Sequence, residues 1–296
     1  MPIIWRNLIA AIFAAAGTAQ TMVVDAQTIG GERMVTYADV ADLSYSAGLI
    51  ALVRVDTMIA VDPSRSAAGR RGYGRFYIEG EARALLVSRK PLGRNVRYLV
   101  DLPLDGRGRA DDLEGEEVFI FARRVAGKPG ELQLVTPTAQ LPWSPAGEAR
   151  LRAILRAAVS PDAPPPVTGV RALLHVPGAL LEQGRTQIFL DTQDGSFASV
   201  TVRHRPGERP SWHASFSELI KDAGGPPSPD SLEWYRLACS LPDMPPPGAN
   251  ISRTQEARAR AVADYRLVLE TLGQCKRSLH VRPQMTAQSF LAPDKA

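Results

Sequence analysis

The sequence predicts a mainly β, α+β protein: a small antiparallel β-barrel, then a β-meander, then a C-terminal pair of helices linked by a disulfide. Three observations carry this expectation. Between residues 49 and 135, five segments alternate apolar with polar residues and are separated by turn formers. Proline-rich breaks at 160–166 and 224–227 divide the chain, because proline lacks an amide donor and biases its predecessor away from helix. The two cysteines, Cys239 and Cys275, fall at the ends of two helical patterns. At 296 residues the chain is ample for a buried core, and 45% apolar with 22% charged residues argues against a disordered chain, a coiled coil or a multi-span membrane protein.

Residues 1–26 read as a signal peptide. Arg6 supplies the charged start, 8–16 are apolar, and small and polar residues follow, with cleavage after Ala19 or, preferred slightly, Ala26. The apolar run is shorter than the roughly 20 residues a bilayer span needs, so the mature chain is expected to have no transmembrane span and to be periplasmic or secreted. A barrel domain is expected over 35–145, opening with helix-compatible residues and continuing as strands at 49–55, 74–87, 96–102, 117–123 and 131–135. Closure is the expected solution, because it removes exposed strand edges. A packing helix and proline-rich linker fill 146–168, with Leu151, Ile154, Leu155 and Ala158 on one face. The β-meander occupies 169–223, with strands at 170–176, 186–190, 197–203 and 212–216 and a helical turn over 218–223. The helical pair spans 226–280: one helix capped by Ser228, the other starting at Ser252 or Thr254 and ending at Gly273. Residues 281–296 read as a flexible tail.

Taken in order, ADLSYSAGLIALVRV, RYLVDLP and LEGEEVFIFAR resemble the OB-type barrels found in exported proteins. The resemblance implies topology alone, since such barrels bind oligonucleotides, sugars and proteins alike.

The net charge of +4 rests on 35 basic residues, nearly all Arg, with Asp and Glu interspersed, which reads as a compositional bias. One stretch stands out: Arg65, Arg70, Arg71, Arg75, Arg83, Arg89, Lys90, Arg94 and Arg97 face only Glu79 and Glu81. Such a surplus could attract an anionic polymer or lipid surface. Its aromatic residues, Tyr73, Phe76, Tyr77 and Tyr98, alternate as strand residues packing inward would, so no base-stacking platform and no nucleic-acid partner is expected.

No arrangement fixes a chemistry. The cysteines lack CxxC spacing and, in an exported chain, are expected to bond to each other. Serine-nucleophile and phosphate-cradling motifs are missing, so no catalytic residue, metal or cofactor is assigned. Asn250-Ile251-Ser252 matches a glycosylation pattern but reads as a helix start. Of the histidines, His175 reads as a satisfied core or turn residue. His204 and His213 flank the loop 205–210, where a hairpin could bring them together with Glu208 or Asp191 as an acid-base or metal site. The expected function is therefore an exported, non-enzymatic protein that binds or supports an envelope protein or cell-surface polymer. The alternative is a secreted hydrolase or metal-dependent enzyme with a site around His204 and His213. The purified protein should fail to bind single-stranded DNA with submicromolar affinity at physiological salt, and binding that weakens on Arg70 and Arg71 substitution would overturn the inward-packing argument.

Overall fold

A computed structural model of the chain describes residues 35–65, 70–217 and 224–279. The expected signal peptide, the helical turn at 218–223, His280 and the expected tail lie outside the described residues. The described chain is mainly β, with two antiparallel sheets, and has four α-helices and one disulfide among the described residues.

Helix α1 (Tyr37–Ser46) starts with a reciprocal cap: the Thr36 hydroxyl accepts from the Asp39 amide at 3.1 Å, and the Asp39 carboxylate accepts from the Thr36 amide at 2.9 Å. All ten of its residues are buried. The first sheet contains β1 (Leu49–Ala60), β2 (Tyr73–Ser88), β3 (Asn95–Pro103), β4 (Glu117–Arg124), β5 (Leu132–Leu134) and β6 (Gln140–Pro142). Its order is β3-β2-β1-β4-β5, with β6 also pairing β4. The long β1–β2 ladder has three register shifts, and at one of them Gly80 is required: a Cβ there would lie 2.5 Å from the Arg54 carbonyl oxygen. Residues 118–122 of β4 are buried on both faces, which explains the unbroken apolar run Val118-Phe119-Ile120-Phe121-Ala122.

The expected closed barrel is not what this sheet forms. Strand β3 meets the segment just before β5 at one parallel bridge, Arg97↔Glu131, and the segment after β5 where the Asp101 amide donates to the Pro137 carbonyl at 2.7 Å. Between these points the ladder does not form. Strand β5 is three residues long, and Pro137 has no amide to extend a parallel pairing. Strand β6 was not expected as a strand; its three residues are too few to show an alternation.

Helix α2 (Pro145–Ala158) is capped by Ser144, whose hydroxyl accepts from the Gly147 amide at 3.0 Å, and buries Leu151, Ile154 and Leu155. The second sheet is the meander β10-β9-β8-β7, formed by β7 (Val167–Pro177), β8 (Gly184–Thr192), β9 (Ser199–His204) and β10 (Ser211–Ser215). The free side of β7 is covered by residues 249–251, through Leu173 N to Ala249 O at 2.8 Å and Ile251 N to Leu173 O at 2.9 Å. Asn250 serves this turn: its side-chain amide donates to the Arg258 carbonyl at 2.9 Å.

Helix α3 (Leu232–Ala238) starts at Ser231, not Ser228; the Ser231 hydroxyl accepts from the Trp234 amide, the third residue of the helix, and Pro229 precedes the cap. Helix α4 (Gln255–Leu272) is capped by Thr254 and ends at Gly273, whose φ of 70° suits glycine. It contacts β7, β8 and α3. Cys239, at the end of α3, and Cys275, just past α4, are bonded as expected. The buried apolar residues of both sheets and all four helices form one cluster.

With the two cysteines 36 positions apart, the chain-entropy account gives the disulfide about 3–4 kcal/mol of stabilisation. Cys239→Ala should lower the denaturant midpoint accordingly and release one titratable thiol. Two free thiols in the unfolded, non-reduced native protein would contradict the bond.

Candidate functional site

The histidine pair expected to converge does not. In the β9–β10 register His213 stands opposite Thr201, three positions from His204, so the two rings project from opposite faces of the sheet. The carboxylates proposed to join them are engaged elsewhere: Asp191 accepts from Arg171 at 2.8 Å, and Glu208 lies 3.7 Å from Arg205.

His204 has a different partner set. On the face of the second sheet turned to α4, register places Gly184 opposite His204 and Thr186 opposite His175. Helix α4 adds Asp264, whose side chain is almost wholly buried. Asp264 Oδ1 lies 2.8 Å from His204 Nε2, and its Oδ2 accepts from the Thr186 hydroxyl. Thr186 Oγ1 is in turn 2.8 Å from His175 Nδ1, and the two imidazoles meet edge to face at 6.1 Å.

The hydrogen count fixes the tautomers. An ionised Asp264 only accepts, so Thr186 spends its single hydrogen on it and must accept from His175 Nδ1–H, while His204 donates through Nε2. Burial lowers the pKa of His175; the Asp264 carboxylate opposes this, and His204 and Arg260 reinforce it. Gly184 makes room for the ring, since a Cβ there would lie 2.8 Å from His175 Cε1. The result is a four-residue chain drawn from β7, β8, α4 and β9 that satisfies a buried carboxylate. Among the described residues, no group of three or more His, Cys, Asp or Glu side chains is placed to hold a metal ion.

Asp264 and Thr186 escape a reading by motif, yet Asp264 carries a signal. It interrupts the apolar stripe Ala261, Tyr265, Val268 of α4, and a carboxylate on a core-facing stripe demands buried partners. Above the network, the ends of β7, β8 and β9 form a cleft of about 510 Å³ lined by Gly184, Arg185, Arg203, His204 and Arg205.

A second concavity, of about 630 Å³, lies on the first sheet where β3 and β5 fail to pair. Its walls include Arg75, Tyr77, Arg97, Leu99 and Gln133. Leu99 is 48% exposed there, opposite Tyr77 in the β2–β3 register. Three members of the arginine surplus are paired with carboxylates: Arg75 grips Asp101 with two bonds of 2.7 and 3.0 Å, and Arg83 and Arg94 share Glu81 at 3.3 and 2.7 Å. The expectation of inward aromatics holds for Phe76 and Tyr98, which are buried, but Tyr77 sits half-exposed at the groove, and Tyr73 lies half-buried under Arg70. No family model matches the chain, and no curated protein matches it.

Two predictions test the network. Thr186→Val, nearly isosteric, should cost about 1–3 kcal/mol by stranding Asp264 and His175, measured by denaturant unfolding. The neutral state of His175 is favoured in the fold, so the unfolded chain binds more protons below the ordinary imidazole pKa of about 6.5. This contribution to stability is complete above that pH and is lost as the pH falls through it; His175→Gln should flatten the loss.

Proposed function

We propose that the protein acts outside the inner membrane as a non-enzymatic binding protein, and that the groove beside β3 receives an extended segment of an envelope protein. The observation that carries this reading is Leu99, half-exposed on a strand that has no continuous hydrogen-bonded ladder on one side between Arg97 and Asp101. An incomplete seam can accept an added strand, with backbone bonds supplying affinity and side-chain pockets supplying specificity. The walls are of mixed charge, Arg75 and Arg97 with Asp101 and Glu131, which suits a polypeptide better than a uniformly anionic polymer. On this reading the first sheet is an OB-type barrel left open along one seam, and the opening is the binding face.

Export is part of the proposal, motivated by the order of residues 1–26 and consistent with the Cys239–Cys275 disulfide, since such bonds persist in oxidising compartments. The test combines two measurements in the native host. Intact mass should show a chain beginning after Ala19 or Ala26. A photocrosslinking residue at Leu99 should trap a discrete polypeptide, and Arg97→Glu should weaken that adduct. A chain starting at Met1 in the cytosol, or an adduct with polysaccharide only, would reject the reading.

A further inference from the structure

The loops at one end of the second sheet present a combination that neither the histidine network nor the groove uses. The β7–β8 hairpin exposes three aliphatic side chains, one at the end of β7 and two in the loop: Val176 is 49% exposed, Leu180 63% and Leu181 89%. Burying such groups is favourable in proportion to apolar area, and these three stand together at the tip and base of a single hairpin. The antiparallel register places Gly184 opposite His204, so the β9–β10 loop emerges at the same end.

That neighbouring loop is basic. Arg205 and Arg209 are exposed on it, Arg185 is exposed at the start of β8 and lies directly opposite Arg203, and Arg203 is itself engaged within the chain. The acidic residues of these two loops are Glu182 and Glu208, the latter 3.7 Å from Arg205. Arg185, Arg203 and Arg205 line the cleft of about 510 Å³, whose walls contain no acidic side chain. The end of the sheet therefore offers an apolar tip flanked on its β8–β9 side by guanidinium groups. Beneath it the Asp264 network ties β7, β8 and β9 to α4, so the tip stands on a braced base.

We infer that this end of the second sheet docks on an anionic phospholipid surface, with Leu180 and Leu181 entering the interfacial region and Arg185 and Arg205 meeting headgroup phosphates. The charge is complementary to such a surface, where each arginine near the headgroups adds to the attraction of a shallow apolar anchor. The inference does not depend on the groove beside β3; a protein bound at that groove and a bilayer bound at this tip are separate events.

The experiment is vesicle co-sedimentation with the full chain, so that the apolar stretch at 8–16 is common to every sample. Vesicles of phosphatidylcholine alone are compared with vesicles that also contain phosphatidylglycerol. Binding to the anionic vesicles should fall by roughly tenfold or more in Leu180→Ser/Leu181→Ser, and by a similar factor in Arg185→Gln/Arg205→Gln. Glu208→Gln should strengthen it. Raised salt should weaken the parent and flatten the difference made by the arginine variant. All these positions are exposed, and an unchanged thermal midpoint verifies folding. Equal binding by parent and both double variants would overturn the inference. So would release of the parent by inorganic phosphate at constant ionic strength, which would mark a site for a small free anion. A variant of the groove, Leu99→Asp, should leave vesicle binding unchanged, which separates failure here from failure of the protein-binding reading.

Discussion

Two carboxylates on a helix buried along its whole length constrain the rest of this chain. Asp39 and Asp42 belong to α1, and neither side chain can be left dry and unpaired without a cost of several kcal/mol. Their partners come from the far end of the sequence. Asp39 accepts from the amides of Ser278 and Leu279 and from the Ser278 hydroxyl; Asp42 accepts from Arg277 Nε at 2.6 Å and from the Tyr235 hydroxyl at 2.6 Å. Burial alone would raise the pKa of Asp39, but these bonds together lower it. At Asp42 burial prevails, and its pKa is raised in spite of Arg277 and Tyr235. The Cys239–Cys275 bond holds residues 275–279 where these contacts require them, so its value lies in aligning hydrogen-bond donors as well as in restricting the unfolded chain.

The same helix gathers the aromatic part of the core. Tyr45 stacks on Tyr235 with centroids 6.1 Å apart, and the Arg236 guanidinium sits 4.2 Å over the Tyr45 ring while donating to the Tyr45 hydroxyl and, at 3.1 Å, to the Pro164 carbonyl. Arg236 is almost fully buried without a carboxylate bonded to it in the described structure, and burial lowers its pKa. The ring faces and oxygen acceptors take the place of a counterion. Through Pro164, this residue also fastens the proline-rich segment between the two sheets to the helical pair.

A parallel solution stabilises the second sheet. Asp264 is the buried carboxylate there; its bonded partners come from β8 and β9, and His175 of β7 is bonded in turn to Thr186. In both places a charged group on a core-facing helix stripe selects the register of whatever packs against it. A shifted register would leave that charge without donors.

The strands and helices were legible because each has a local cause. Alternation marks β1 to β3, an apolar run marks β4, the turn residues at 91–93 and 105–108 separate β2, β3 and β4, and Thr254 and Gly273 bound α4. The cysteine pairing follows from there being two cysteines in the chain. What could not be read is everything that depends on which residues meet across the fold. Barrel closure failed because β5 is short and Pro137 cannot extend the pairing. His204 found His175, Thr186 and Asp264 instead of His213, because strand parity sends neighbours of odd separation to opposite faces and a helix sixty residues away supplies the charge. By itself, then, the sequence determined the longer elements, their order and the disulfide, all set by patterns within a few residues or by elimination, while the three-residue β6 and the start of α3 escaped it. The tertiary structure alone decided the open seam, the buried carboxylate partners and the basic, apolar tip, because each is a coincidence in space of side chains far apart along the chain.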